Sequence, residues 1–205
     1  MMDASLRLHL TQKECPVFLL EGTRKLPALA HARLQRLAAW LCAEFPRAVF
    51  RSGNAEGADA VFASAVAACD PVRLELVLPH AGMGRARRPP GARCLALDAL
   101  PDAELERVVD LTRNAGRDAG RLGEYYFKHR NGPTSAASSK AAYLLRDTLK
   151  VVGSEVLGLA PATMGIFFVN EDQPKGGGTG HTVRVCELKG VPVATQSEWI
   201  EWIPE

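Results

Sequence analysis

The feature that most narrows the fold of this chain is a rhythm in its N-terminal part, where short apolar runs stop at polar or glycine-bearing turns and helical stretches lie between them. Pro16-Val17-Phe18-Leu19-Leu20 is almost continuously apolar, as a strand buried on both faces must be, and it stops at Glu21-Gly22-Thr23-Arg24. From about Ala28 to Ala43 the period turns helical, with Leu34, Leu37 and Leu41 on one stripe and Arg33 and Arg36 off it. Ala48-Val49-Phe50 ends at Ser52-Gly53, a helix runs from about Gly57 to Ala68, and Leu74 to Leu78 is a third strand closed by Pro79-His80. Strand, helix, strand, helix, strand with short turns predicts a parallel sheet with crossover helices.

The rhythm breaks after Gly82. Arg85 to Pro90 reads as a basic, proline-rich loop, Leu95 to Leu97 as a short strand and Asp102 to Leu111 as a helix. Thr112 to Ser139, rich in Gly, Arg and Asn, reads as a partly ordered excursion. Pattern returns with a helix over Ser139 to Lys150, strands at Glu155 to Leu159 and Met164 to Val169, and a glycine loop from Asn170 to Thr182. A helix from about His181 to Leu188, capped by Gly190, and a last strand at Val191 to Ala194 follow. The expected fold is a three-layer α/β Rossmann-like domain with a mostly parallel sheet, one domain over residues 1–205 with a variable insertion at about 82–138. At 205 residues and 47% hydrophobic, such a chain can bury a core without a disulfide or metal staple.

Net charge is +2, so any basic partner surface must be local. Cys15, Cys42, Cys69, Cys94 and Cys186 are scattered without a CxxC pair, which predicts buried, reduced thiols. The first residues lack the apolar core of a signal peptide, and no stretch is long and apolar enough to span a bilayer. A cytoplasmic protein without membrane contact is expected.

Three turns follow predicted strands: Gly22-Thr23-Arg24, Ser52-Gly53-Asn54-Ala55-Glu56-Gly57 and Gly176-Gly177-Gly178-Thr179-Gly180. In a parallel sheet such turns gather at the strands' carboxyl ends, where ligands bind. Glycine lets a phosphate approach the backbone, and the first amides of the next helix point at it. Each glycine also has a purely geometric reading at a strand-to-helix turn. The last run is neither a Walker A loop nor a dinucleotide fingerprint, because it lacks both the Lys-Ser/Thr pair and the acidic ribose partner.

Ser52-Gly53-Asn54-Ala55-Glu56-Gly57-Ala58-Asp59 resembles the SGGAxGAD signature of the SLOG superfamily, which includes the DNA-processing protein A core, the lonely guy lysine-decarboxylase-like enzymes and nucleotide-sensing modules. The run Gly176 to Thr182, with the helix and Gly190-Val191-Pro192-Val193 after it, is similar to that superfamily's ending, and Arg146-Asp147 falls where many members carry an Arg-Asn helix. The resemblance covers about Phe18 to Ala194 and skips Gly82 to Ser138. It implies a nucleotide or nucleotide-derived phosphate ligand. Its holders would be Gly22, Thr23 and Arg24; Ser52, Gly53, Asn54, Gly57 and Asp59; Arg146; and Gly176, Gly177, Gly178, Thr179, Gly180, His181 and Thr182. No further cofactor and no metal are expected, and a second copy of the chain is an expected partner, Trp199 and Trp202 being core or dimer packing.

Two departures matter. Asn54 stands for a glycine, and asparagine is the side chain that best tolerates left-handed backbone. His181-Thr182 stands where the phosphoribohydrolase branch carries its catalytic glutamate, which argues against the familiar N-glycosidic hydrolysis. Nucleotide binding or sensing is therefore the first reading. A nucleoside-monophosphate hydrolase using Glu56 and Asp59 is the second. The third is a single-stranded nucleic-acid module using Arg85, Arg87 and Arg88 with Tyr125, Tyr126, Lys128 and Arg130.

Overall fold

Six strands lie in one sheet in the order β4-β3-β2-β1-β5-β6, and every neighbouring pair is parallel. The structure is a computed structural model and describes residues 2–174 and 176–203. The strands are β1 (Val17–Gly22), β2 (Val49–Ser52), β3 (Leu74–Leu78), β4 (Arg93–Ala96), β5 (Met164–Phe168) and β6 (Val193–Thr195). The helices are α1 (Ala4–Thr11), α2 (Ala28–Glu44), α3 (Ala58–Cys69), α4 (Asp102–Ala115), α5 (Arg117–His129), α6 (Ala136–Val152), α7 (Gly177–Leu188) and α8 (Gln196–Trp199).

Strand alternation sorts the side chains into two cores. Phe18, Leu20, Phe50, Leu76 and Ile166 meet α2 and α3 on one face. On the other, Leu19 and Phe167 meet α7, and Val77 meets α4 and α6. Helix α5 packs outside on α4 and α6. The result is a Rossmann-like three-layer α/β fold. Trp199 is fully buried and donates Nε1 to Phe167 O at 3.0 Å, and Trp202 joins the same core. The terminal tryptophans are thus spent within the chain.

One face of the sheet also carries charge. Leu19, Arg51, Glu75 and Arg93 align across β1 to β4. Arg51 is wholly buried. Its Nε and Nη2 both reach Glu75 Oε2, at 2.9 and 2.7 Å, and its Nη1 donates to Lys150 O and Ala160 O, each at 2.8 Å. Arg93 takes the second carboxylate oxygen at 2.9 Å. Arg51 therefore clamps the end of α6 to the sheet.

Several expectations are corrected. Residues 112–139 are not the partly ordered excursion expected, because the end of α4, all of α5 and the start of α6 take up most of the segment. Glu155 to Leu159 is a turn, closed by a Ser154–Leu159 bridge, with Gly153 and Gly158 at positive φ. The segment Ala4–Thr11 is helical, its amides capped by Asp3. Helix α7 starts at Gly177 and not near His181. Cys15, Cys69 and Cys94 are exposed, so only Cys42 and Cys186 match the buried-thiol reading; all five are free. No helix among the described residues is long and apolar enough to cross a membrane.

Candidate functional site

The strand order reverses between β1 and β5, and there the carboxyl ends leave a crevice. It measures about 820 Å³. Glu21, Gly22, Thr23 and Arg24 line it from β1 and its turn, Gly176 to Thr179 from the start of α7, and Ser139, Lys140, Tyr143, Asp147 and Lys150 from α6. Asp118 and Leu122 of α5 complete the wall. Among the expected ligand residues, Asp59 and Arg146 also border the crevice. Ser52, Gly53, Asn54, Gly57, Gly180, His181 and Thr182 fall outside its lining.

The turn after β2 is braced by the chain's own groups. Asp59 Oδ1 accepts from Gly22 N at 3.1 Å, and Oδ2 accepts from Gly53 N at 3.2 Å. The anion on these two amides is a side chain of the protein. Gly53 O accepts from Arg146 Nη1 at 2.6 Å, and a Cβ at Gly53 would lie 1.7 Å from that nitrogen. Gly57 sits at φ 79, where a Cβ would meet Thr23 O at 2.4 Å. Asn54 takes the left-handed φ of 54, and its Nδ2 donates to Gly84 O at 3.3 Å. Ser52 is buried. Gly53 and Gly57 thus help to join β1, β2 and α6. Asp59→Asn is expected to destabilise the fold by about 2 kcal/mol, since an amide N–H would face a backbone N–H. An unchanged unfolding midpoint would refute this tie.

The acid/base pair expected of Glu56 and Asp59 does not converge. Glu56 is largely exposed and pairs with Arg87 at 2.8 Å, while Asp59 is buried under its two amides. His181 is no phosphate donor either. It is buried, with Nε2 2.9 Å from Thr148 Oγ1, and burial pulls its pKa down to about 4, leaving it neutral. Thr148 in turn meets Thr112 Oγ1 at 2.6 Å, so His181 closes a polar chain between α4, α6 and α7. Thr182 is buried as well and donates toward Gly178 O and Glu21 Oε2. Gly180 is buried in the second half of the first turn of α7, its N–H bonded to Gly176 O.

What remains open to the crevice is the start of α7. No side chain caps it. Gly180 is the first amide to bond back, to Gly176 O at 3.0 Å, and the amides of Gly177, Gly178 and Thr179 have no partner within the helix. Beneath them lies a charged floor of which the sequence had singled out Arg146 as a ligand residue, but not Glu21 or Lys150. Lys150 Nζ reaches Glu21 Oε2 at 2.6 Å and Asp147 Oδ1 at 2.8 Å. Arg146 Nε lies 3.1 Å from Asp147 Oδ1 without hydrogen-bond alignment. Burial pushes Glu21 up to about 7 against the pull of Lys150, with Asp59 and Asp147 adding to the rise. Burial also acts to raise Asp147, but Arg146 and Lys150 outweigh it and hold its carboxyl below the ordinary value. Glu21 Oε1 is buried without a hydrogen-bond partner among the described residues. Tyr143 stands above this floor, with the Arg24 and Arg146 guanidinium carbons 5.5 and 5.4 Å from its ring centre.

A signal for these residues was present. Tyr143, Arg146, Asp147 and Lys150 recur at i, i+3, i+4 and i+7, one face of a helix, and Glu21 ends a run that is otherwise apolar.

A six-stranded parallel sheet with its crevice at the switch point places the chain among Rossmann-like α/β proteins. Compared with protein-family models and with curated proteins, the sequence matches none. Among solved structures it is similar to DNA processing protein A from Helicobacter pylori, a structure described for its single-stranded DNA binding mode. The TM-score is 0.50 at 14% identity, over 98% of this chain and 76% of that chain. This is a likeness of fold.

Proposed function

We propose that the crevice binds a nucleotide or nucleotide-derived ligand through its phosphate. The observation that carries this reading is the uncapped N-terminus of α7 opening into a crevice of about 820 Å³ at the switch point. In this reading Gly177, Gly178 and Thr179 donate to the phosphate, Arg24 adds a guanidinium from the facing turn, and Tyr143 with Leu122 offers the base an apolar wall. Gly22 and Thr23 shape the opposite lip, and Gly176 positions the first amide. Arg146 and Asp59 border the site from below. The chain is read as one SLOG-like unit whose segment 82–138 supplies α4 and α5, hence one wall.

The test is thermal unfolding against nucleoside mono-, di- and triphosphates and cyclic nucleotides. A ligand at about a hundred times its Kd stabilises by about 2.7 kcal/mol. The gain is expected to vanish in Gly178→Val, whose Cβ would stand 2.9 Å from Asp147 Oδ2, and to shrink in Arg24→Ala. No stabilisation by any nucleotide would remove the reading.

A second reading rests on the likeness to a protein that binds single-stranded DNA. Its basic residues here are partly engaged. Arg87 pairs with Glu56, Arg88 donates to Ala81 O and Met83 O, and Arg130 pairs with Asp102. Tyr125 is exposed and stacks on His129 with ring centres 4.4 Å apart. Salt-sensitive binding of an oligonucleotide, lost when Arg85, Arg87 and Arg88 become Ala, with no response to mononucleotides, would replace the first reading by this one. Trp199 and Trp202 are internal, while Ile200 of the same tail is exposed.

A further inference from the structure

We propose that the crevice takes up a proton on Glu21 as it binds an anionic ligand, so that this buried carboxyl sets the charge the site accepts. The proposal rests on the reading of the crevice as a phosphate site. The buried charged groups that line the crevice are three carboxyls, Glu21, Asp59 and Asp147, and two cations, Lys150 and Arg146. Lys150 divides its ammonium between Glu21 and Asp147. Asp59 has both oxygens on backbone amides, and Asp147 has two cations beside it. Glu21 is the carboxyl left with a buried oxygen and no hydrogen-bond partner for it.

Groups from α3, α6, α7 and β5 lie about Glu21. Helix α6 brings Lys150, Asp147 and Arg146, and helix α3 brings Asp59. Helix α7 brings Thr182 and Cys186, the thiol being pushed up to about 12 by burial and so neutral. Across the sheet stands Phe167. The balance of these groups holds the carboxyl at about 7, between its two forms in neutral solution.

Geometry couples it to the ligand. Thr182 Oγ1 spans from Gly178 O at 3.2 Å to Glu21 Oε2 at 3.3 Å, so the carboxyl lies just under the first turn of α7. A phosphate on the amides above adds negative charge near this carboxyl. At an effective dielectric of about 20, a unit negative charge about 8 Å from a carboxyl moves its midpoint up by about 1.5 pH. The complex therefore holds a proton that the free protein has partly lost. Affinity falls as pH rises from about 7, by roughly tenfold or more before it levels off.

The experiment is isothermal titration with AMP, ADP and cyclic AMP at pH 6 to 9, in buffers of different ionisation enthalpy. Wild type and Glu21→Gln are compared with the same ligand, so that the ligand's own titration cancels in the difference. Proton uptake near pH 7.5 in wild type, absent from Glu21→Gln, together with a pH dependence that flattens in the variant, is the expected result. Thr182→Val, which removes a donor from the carboxylate, is expected to move the uptake window to higher pH; it decides the matter if Glu21→Gln does not fold. Equal proton counts and parallel pH profiles in wild type and Glu21→Gln, or an unmoved window in Thr182→Val, with binding still weakened by Arg24→Ala, would overturn this inference and leave the phosphate reading standing. Failure of all three nucleotides to bind would overturn both.

Discussion

Lys150→Met is expected to cost about 3–5 kcal/mol of folding stability at pH 8, the loss typical when one partner of a buried ion pair is removed. Methionine keeps most of the stem's volume and removes only the ammonium. Among the described residues Glu21 then has no cation within bonding distance, and Asp147 keeps only the poorly aligned Arg146. The loss has a pH signature. In the unfolded chain Glu21 gives up its proton near 4.5, and in the folded chain near 7. Folding therefore binds a proton across that window, and the contribution of Glu21 to stability falls as pH rises through it. At pH 5.5 the wild-type carboxyl is already mostly protonated, so Lys150 has less charge to balance and its removal costs less. Urea unfolding at pH 5.5 and pH 8 measures both quantities. An equal cost at the two pH values would show that Glu21 is not the group Lys150 serves.

Arg51→Leu is expected to cost at least as much. The substitution strips both hydrogen bonds from Glu75 Oε2 and leaves Lys150 O and Ala160 O without their donor. Breaking such a pair costs about 3–5 kcal/mol, and two orphaned carbonyls add about 1–3 kcal/mol each where water does not reach them. For a chain of this length the unfolding midpoint should drop by about 10 °C or more. Arg51→Leu combined with Glu75→Leu should lose less than the sum of the two, because the stranded carboxylate is gone and the half-exposed Arg93 can hydrate. Strict additivity would mean that Arg51 acts only through the carbonyls.

Strands β1, β3 and β5 were legible because they are buried almost throughout and therefore apolar with little interruption, whereas β4, exposed at Arg93 and Cys94, shows only its last residues in the pattern. Leu74 to Leu78 was read with its final boundaries, Glu75 included. The false strand at Glu155 to Leu159 has the same composition, but glycines at both ends fold it back on itself. Helix α5 was hidden by its own packing. Gly120 lies so near Arg113 that a Cβ would come within 2.7 Å, and Gly123 faces Leu145 at 3.2 Å. Small residues chosen for close helix contact look like loop residues in a composition. The glycines of Gly176 to Gly180 misled in the same way, since three of them lie inside the first turn of α7. At the crevice, the sequence pointed to the turns, and backbone conformation follows from glycine and asparagine placement. Which amides stay available does not follow from local pattern. Asp59 and Arg146 are far apart in the chain, and only the packing of α3 and α6 shows that they occupy the turn after β2.

The seam between β1 and β5 has a consequence for biosynthesis. The residues that pair there are separated by 146 positions, as in the bond from Val17 N to Thr163 Oγ1. A ribosome delivers the first half-sheet, β1 to β4, long before it delivers β5. One edge of the central strand must wait uncovered while α4 to α6 emerge, and long-range parallel pairing of this kind is slow and prone to association. The crevice is absent throughout that interval, because its two lips belong to the early and the late portion of the chain. Anything that binds in it recognises only molecules whose translation has passed β5 and α7, and so holds together the last joint to close.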